Sequence, residues 1–201
     1  MSGYRPLNAS EDAGKGYTLP DRPLDFAADW AVIPISSGEL MRFIGWYPVG
    51  FQREGDQYHL SIPARSGATH ALINPRTGRW FGQQIPTFLR LYPFQLVNNS
   101  PKDGKPTKPL FAINTDAEAH FTTQSEQPVL DAKGELTDIG KKRLQALQQY
   151  KKRQILDQKV ITLLQECDAF ENWSLNLGEE SNPEYIENWY QINVGRLRDL
   201  K

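Results

Sequence analysis

Residues 136–170 read "LTDIGKKRLQALQQYKKRQILDQKVITLLQECDAF", and the fold class turns on this stretch. Leu136, Ile139, Leu144, Leu147, Ile155, Val160, Leu163, Leu164 and Cys167 recur at mostly helical spacing, with Lys, Arg and Gln between them. This is the pattern of a helix that buries one face. Thr137 or Asp138 stands where a side-chain oxygen can accept from the orphan amides of the first turn. Unbroken, the segment would run about 34 residues and roughly 50 Å, more than a small domain spans, so a kink, a break or a protruding end is expected. The two "KKR" triplets, at Lys141 and Lys151, read as a solvated helix face, with an anion or nucleic-acid site as the alternative. Cys167 reads as a buried structural thiol.

Working outward, "VLDAKGELTD" puts Asp131 and Gly134 where turn chemistry wants them, and "PLFAINT" before it reads as a strand. Residues 98–109, "NNSPKDGKPTKP", hold three prolines and three lysines and read as a linker. Over residues 43–96 the texture changes to short aromatic and β-branched runs cut by turns: "RFIGWYPVGFQ", "YHLSIPA", "THALINPRTGRWFG". Within them "NPRTGRW", with Asn74, Pro75 and Gly78, reads as a hairpin turn. Downstream of the helix, residues 183–201 carry Ile186, Trp189, Tyr190 and Ile192, a short strand or turn, and Leu197 and Leu200, a closing helical turn. Residues 1–27 carry little periodicity and read as a flexible arm. The expected fold is therefore α+β: a β-rich N-terminal half with hairpins, packed against a long C-terminal helix and a short closing segment. Residues 28–201 form its single domain, with the β-rich part at 43–96, the linker at 98–109 and the helical part at 136–170.

With 23 basic and 24 acidic residues the net charge is -1, so nothing in the bulk balance draws the chain to nucleic acid or to an anionic membrane. No apolar run approaches the roughly 18 residues of a membrane span. The N-terminus lacks the cationic start and apolar stretch of a secretory signal, which places the chain in the cytoplasm. A single cysteine excludes an intramolecular disulfide and suits a reducing compartment.

The three histidines, His59, His70 and His120, have none of the tight spacings of a metal site. The sequence contains no phosphate-binding glycine loop, dinucleotide fingerprint or nucleophile elbow. No catalytic residue, metal ligand or cofactor is assigned.

The densest aromatic and cationic segment is "RWFGQQIPTFLRLYPFQL", residues 79–96. Its rings read first as core. Arg90 then stacks on rings in a structural role, or grips a carboxylate or phosphate as a bidentate fork. "GRWFGQQIPTFLRLYPFQL" resembles the central signature of the bacterial SapC-like family, a turn and Trp leading into an "IP..LR.YPF" core. "YPVGFQREGDQYHLSIPA", "PVLDAKGELTD" and "NWYQINVGRLRDL" are similar to the flanking segments of that family, in the same order. The family is linked to surface-layer protein export, and its members are found beside flavin-dependent halogenases, cupin-like hydroxylases and outer-membrane receptors. The resemblance implies an accessory role in a surface-protein secretion or peptide-modification system and supplies no catalytic residues. A membrane permease of the same name is a different protein, and the lack of an apolar span here excludes it.

Two functions of different class follow. The first is a non-catalytic module that binds a protein or peptide partner: a halogenase-type or hydroxylase-type enzyme, or a surface protein. Trp80, Phe88, Tyr92 and Phe94 would floor its groove and Arg90 would anchor a peptide carboxylate or carbonyl. The second is an enzyme acting on a peptide or small molecule, with His59 or His70 as base. Aromatic, proline and arginine residues in the distinctive segment build shape rather than proton-transfer chemistry, which favours the first.

Overall fold

A computed structural model of the chain describes residues 3–66, 69–98 and 108–198. It is an α+β fold whose longest element is a C-terminal helix. The strands are β1 (Tyr4–Pro6), β2 (Gly16–Tyr17), β3 (Val32–Pro34), β4 (Gly50–Glu54), β5 (Gln57–Pro63) and β6 (Arg65–Ser66). They continue with β7 (Thr69–His70), β8 (Phe94–Val97), β9 (Leu110–Asn114), β10 (Phe121–Thr122), β11 (Phe170–Asn172) and β12 (Trp189–Ile192). The helices are α1 (Leu40–Phe43), α2 (Thr87–Leu91), α3 (Asp138–Glu166) and α4 (Val194–Arg198). Most of the 98–109 linker, residues 99–107, lies outside the described residues, as does Leu200.

The chain divides into two compact units, Met1–Pro20 with Arg90–Lys151, and Asp21–Leu89 with Lys152–Lys201. In the first, β1, β9 and β8 form an antiparallel sheet in which Tyr4 pairs with Asn114 and Phe94 with Ile113. A second pair, β10 and β2, sets Phe121 against Tyr17. The N-terminal residues, read from sequence as an arm, thus supply two strands. Asp12 organises this segment: its carboxylate is fully buried and accepts from both terminal nitrogens of Arg5 (2.7 and 2.9 Å), from the Asn8 amide (2.9 Å) and from Lys15 (3.1 Å). The core of this unit joins Tyr17, Phe94, Leu96, Ile113, Phe121, Val129 and Leu147.

The turn before the long helix forms as its residues require. Asp131 Oδ1 accepts from the Lys133 and Glu135 amides at 2.8 and 2.9 Å. Thr137, of the two cap candidates, accepts from the Gly140 amide at 3.1 Å. The helix then runs 29 residues as one element. No break is needed, because Leu144 and Leu147 pack in the core of the first unit and Ile161 and Leu164 in that of the second. It ends at Glu166, and just beyond it Asp168 takes the left-handed region at φ 48 while the Ala169 amide bonds back to the Leu164 carbonyl. Cys167 is only half-buried. Arg143, in the first basic triplet, is half-buried: its guanidinium lies 5.3 Å from the centre of the Phe94 ring, and burial pushes its pKa down.

The second unit carries a five-stranded antiparallel sheet in the order β11-β12-β4-β5-β3. Between β4 and β5, Gly55 at φ 59 makes the two-residue turn that brings Glu54 against Gln57. "NPRTGRW" closes a tight turn, with the Asn74 amide on the Arg79 carbonyl at 2.7 Å, but around a single bridge, Ile73 to Trp80, rather than two full strands. One face of the sheet is apolar. Phe51 and Tyr58 pack there with Ile161, Phe170 and Tyr190, and Tyr58 stacks on Phe170 at 4.1 Å. Ile33 and Ile62 join a second cluster with Leu24, Phe43, Ile73 and Leu89. The closing segment forms β12 and α4, and Trp189 is fully buried between β11 and β4.

Candidate functional site

"QYHLSIP", β5, alternates strictly, so Tyr58, Leu60 and Ile62 enter the cores while His59 and Ser61 emerge on the opposite face. The register extends this face into both neighbouring strands, with polar residues from β4 and apolar ones from β3. Gln52 of β4 stands opposite His59, Ser61 opposite Gly50 and Pro34, and Pro63 opposite Val32 of β3. Val32, Pro34, Gln52, Glu54, His59 and Ser61 therefore lie on one face, and that face floors a cleft of about 1070 Å³.

Three further pieces of the second unit complete the cleft. Trp30 and Phe88 contribute rings 5.7 Å apart. Arg65 and Gln154 of α3 add polar groups. The last piece is a flap, residues 173–188, connecting β11 to β12. Its limbs are tied by bridges from Asn176 to Tyr185 and from Glu179 to Asn182. The Asn176 side chain braces the flap by accepting from the Gly178 and Glu184 amides at 3.0 and 2.9 Å. Leu177 and residues 184–188 of the flap face the cleft, and Tyr185 there is 59% exposed.

The lining mixes three carboxylates (Glu54, Glu184, Glu187) with two groups able to carry positive charge (His59, Arg65) and three aromatic rings (Trp30, Phe88, Tyr185). Gln52 Oε1 and Glu184 Oε2 are buried and find no hydrogen-bond partner among the described residues. Two orphaned acceptors in the residues lining one cleft are unusual, because buried polar atoms are nearly always satisfied. Beside the floor, the Trp189 indole covers Gly50 so closely that a Cβ there would fall 2.6 Å from the ring. Trp189 Nε1 likewise finds no acceptor among the described residues.

The five residues expected to bind are divided between the units. Trp80 and Phe88 belong to the second and pack against its core, half-buried. Of the five, Phe88 also lines the cleft. Arg90, Tyr92 and Phe94 belong to the first. Phe94 is core, 3% exposed. Tyr92 stands edge-on to Tyr17, and burial raises its pKa. Arg90 is exposed at the end of α2. Of the histidines, His59 enters the cleft, His120 lies edge-on to Tyr17 in the first unit, and the His70 side chain lies outside the described residues. Among the described residues no three His, Cys, Asp or Glu side chains gather to hold a metal ion. Nor is any helix there long and apolar enough to cross a membrane.

Trp30, Tyr185 and the flap carboxylates were not expected. The alternation of β5 was a usable signal for a polar sheet face. The flap, rich in Asn, Gly, Glu and Pro, has no periodicity to place it over that face.

Among protein families, the one described as SapC matches this chain over residues 10–201. No curated protein and no solved structure matches it.

Proposed function

The chain belongs to the SapC family, and from that premise we propose that it is a non-catalytic binding module whose cleft takes up a segment of a protein or peptide partner. One observation carries the reading: the polar face of a β-sheet, which ordinary folds leave to water, is here walled by three aromatic rings and a braced flap. Rings give contact area at little entropic cost, and the polar floor supplies hydrogen bonds for a peptide backbone. Carboxylates outnumber cationic side chains in the lining. With Glu54, Glu184, Glu187 and the orphaned Gln52 oxygen, the cleft favours a segment bearing Lys or Arg, whose cation can also sit over Trp30 or Tyr185.

In this reading the protein is a cytoplasmic accessory of a surface-protein secretion or peptide-modification system, and its client is a halogenase-type or hydroxylase-type enzyme or a surface protein. Selecting a random-peptide display library on the immobilised chain tests it. Retained sequences should carry a basic residue beside an apolar one, and Glu184→Lys and Trp30→Ala should each weaken their binding about ten-fold or more. Failure to enrich any sequence, or binding indifferent to both substitutions, refutes the proposal.

One observation favours the second reading, an enzyme: His59 stands in the cleft beside Ser61 and Glu54. His59→Ala separates the two, since a binding module keeps its peptide and a catalyst using this base loses turnover.

A further inference from the structure

The outward face of α3 presents Leu156, Val160 and Leu163, 52%, 56% and 60% exposed, with Ile155 beside them at 51%. The first three stand at i, i+4 and i+7, one stripe of a helix. Directly behind them the same turns are already anchored: Ile161 and Leu164 pack in the core with Phe170, and Asp157 accepts from the Ser37 amide at 2.9 Å. A helix segment that is apolar on both faces is one that has neighbours on both faces. Scattered exposed aliphatic residues need no account, but a continuous stripe does.

We propose that this stripe pairs, antiparallel, with the same stripe of a second copy of the chain. Leu156, Val160, Leu163 and Cys167 follow the alternating four- and three-residue spacing of a coiled-coil seam. The flanking charges select the orientation. Lys159 and Glu166 border one edge of the seam, seven residues apart. In an antiparallel pair with Val160 against Leu163 of the second copy, Lys159 falls opposite Glu166 of the second copy, and the two-fold axis repeats the match. A parallel pair would set that edge against the opposite one, where Asp157 is bonded to Ser37 and Leu164 is in the core. The seam is short, about three turns, far fewer than the sustained heptads of a stable coiled coil. The dimer is accordingly weak, concentration-dependent and in rapid exchange.

Sedimentation velocity on the full chain, from low micromolar to several hundred micromolar, reads this directly. The expected result is a monomer–dimer equilibrium that Leu163→Lys abolishes, with Val160→Lys as a second disruption and far-UV circular dichroism confirming that each variant folds. Lys159→Glu alone and Glu166→Lys alone should each weaken association about ten-fold by placing like charges in apposition, and the double exchange should restore it. A chain that stays monomeric throughout overturns the proposal. So does a dimer indifferent to Leu163→Lys, which would lie on another surface, or a double exchange without recovery, which would exclude the antiparallel register.

Discussion

Replacing Asp12 by Asn removes one negative charge from a site where three donor groups converge, and the cost can be worked out before the experiment. Burial alone would raise the Asp12 carboxyl. The hydrogen bonds from Arg5, from the Asn8 amide and from Lys15, with the field of the Arg5 guanidinium, outweigh it and hold the pKa at about 2, against an ordinary 3.8. At about 1.36 kcal/mol per pH unit, that drop stabilises the first unit by about 2 kcal/mol at neutral pH. A depressed carboxyl contributes its full stability above the unfolded pKa and loses it as the pH falls through the folded one. The window is therefore pH 4 to 2, and about half a kcal/mol remains at pH 2. The Asn amide group would also point a donor at donors, adding about 1 kcal/mol to the cost. All five tryptophans (Trp30, Trp46, Trp80, Trp173, Trp189) lie in the second unit, so indole fluorescence does not follow this effect. Amide hydrogen exchange over β1 and β2, with urea as denaturant, does. Asp12→Asn should lower the urea midpoint there by about 1 to 2 M at pH 7, for an ordinary urea dependence, and most of the difference from the parent should vanish by pH 2. Equal midpoints at pH 7, or a gap undiminished in acid, would show that the Asp12 charge does not hold this segment.

Other perturbations test the same structure elsewhere. Glu39, 5% exposed, accepts from the Thr87 amide at 2.7 Å and from the Ser36 amide and hydroxyl at 3.2 and 3.0 Å, so Glu39→Ala strands three donors. It should cost about 2 to 4 kcal/mol in a thermal melt followed by indole emission, with Glu39→Gln losing about half as much. Gly50→Ala drives a methyl into the Trp189 ring, and overpacking of this kind costs about 1 to 3 kcal/mol; a red-shifted indole spectrum should accompany the loss. Burial, then the field of Tyr92, pushes the Tyr17 phenol up to about 12, against the opposing field of Arg143. Its neutral form is the stabilised one, so stability should fall as the pH rises from 10 through 12, and phenolate absorbance should lose a late-titrating group in Tyr17→Phe.

Local physics was legible where the chain writes it locally. The apolar spacing of residues 136–170 gives α3, Thr137 gives its cap, and Asp131 with Gly134 gives the turn before it. The alternation of Gln57–Pro63 gives a strand with one polar face. The division into units was not legible, because it rests on pairings between distant residues, Tyr4 with Asn114 for example, that leave no periodicity. For the same reason the segment 79–96 reads as one aromatic block although the chain passes from one unit to the other between Leu89 and Arg90. The expectation of a kink, a break or a protruding end assumed one core, whereas Leu144 and Leu147 pack in one cluster and Ile161 and Leu164 in another. Of the binding residues expected from residue type, Phe94 lies in the core of the first unit and Phe88 lines the cleft. The cleft combines the alternation in β5 with a flap whose position depends on pairing of Tyr190 with Phe51 and Asn172.

On the proposed function, the cleft of the second unit holds a segment of another polypeptide. Native mass spectrometry of the untagged protein isolated gently from its own cells, beside a Trp30→Ala/Glu184→Lys double variant, tests it most directly. A co-eluting polypeptide on the parent that is missing from the variant is the result predicted here, and it identifies the client at once. A bound small molecule or metal in place of a polypeptide, or a polypeptide retained equally by both proteins, would contradict the account.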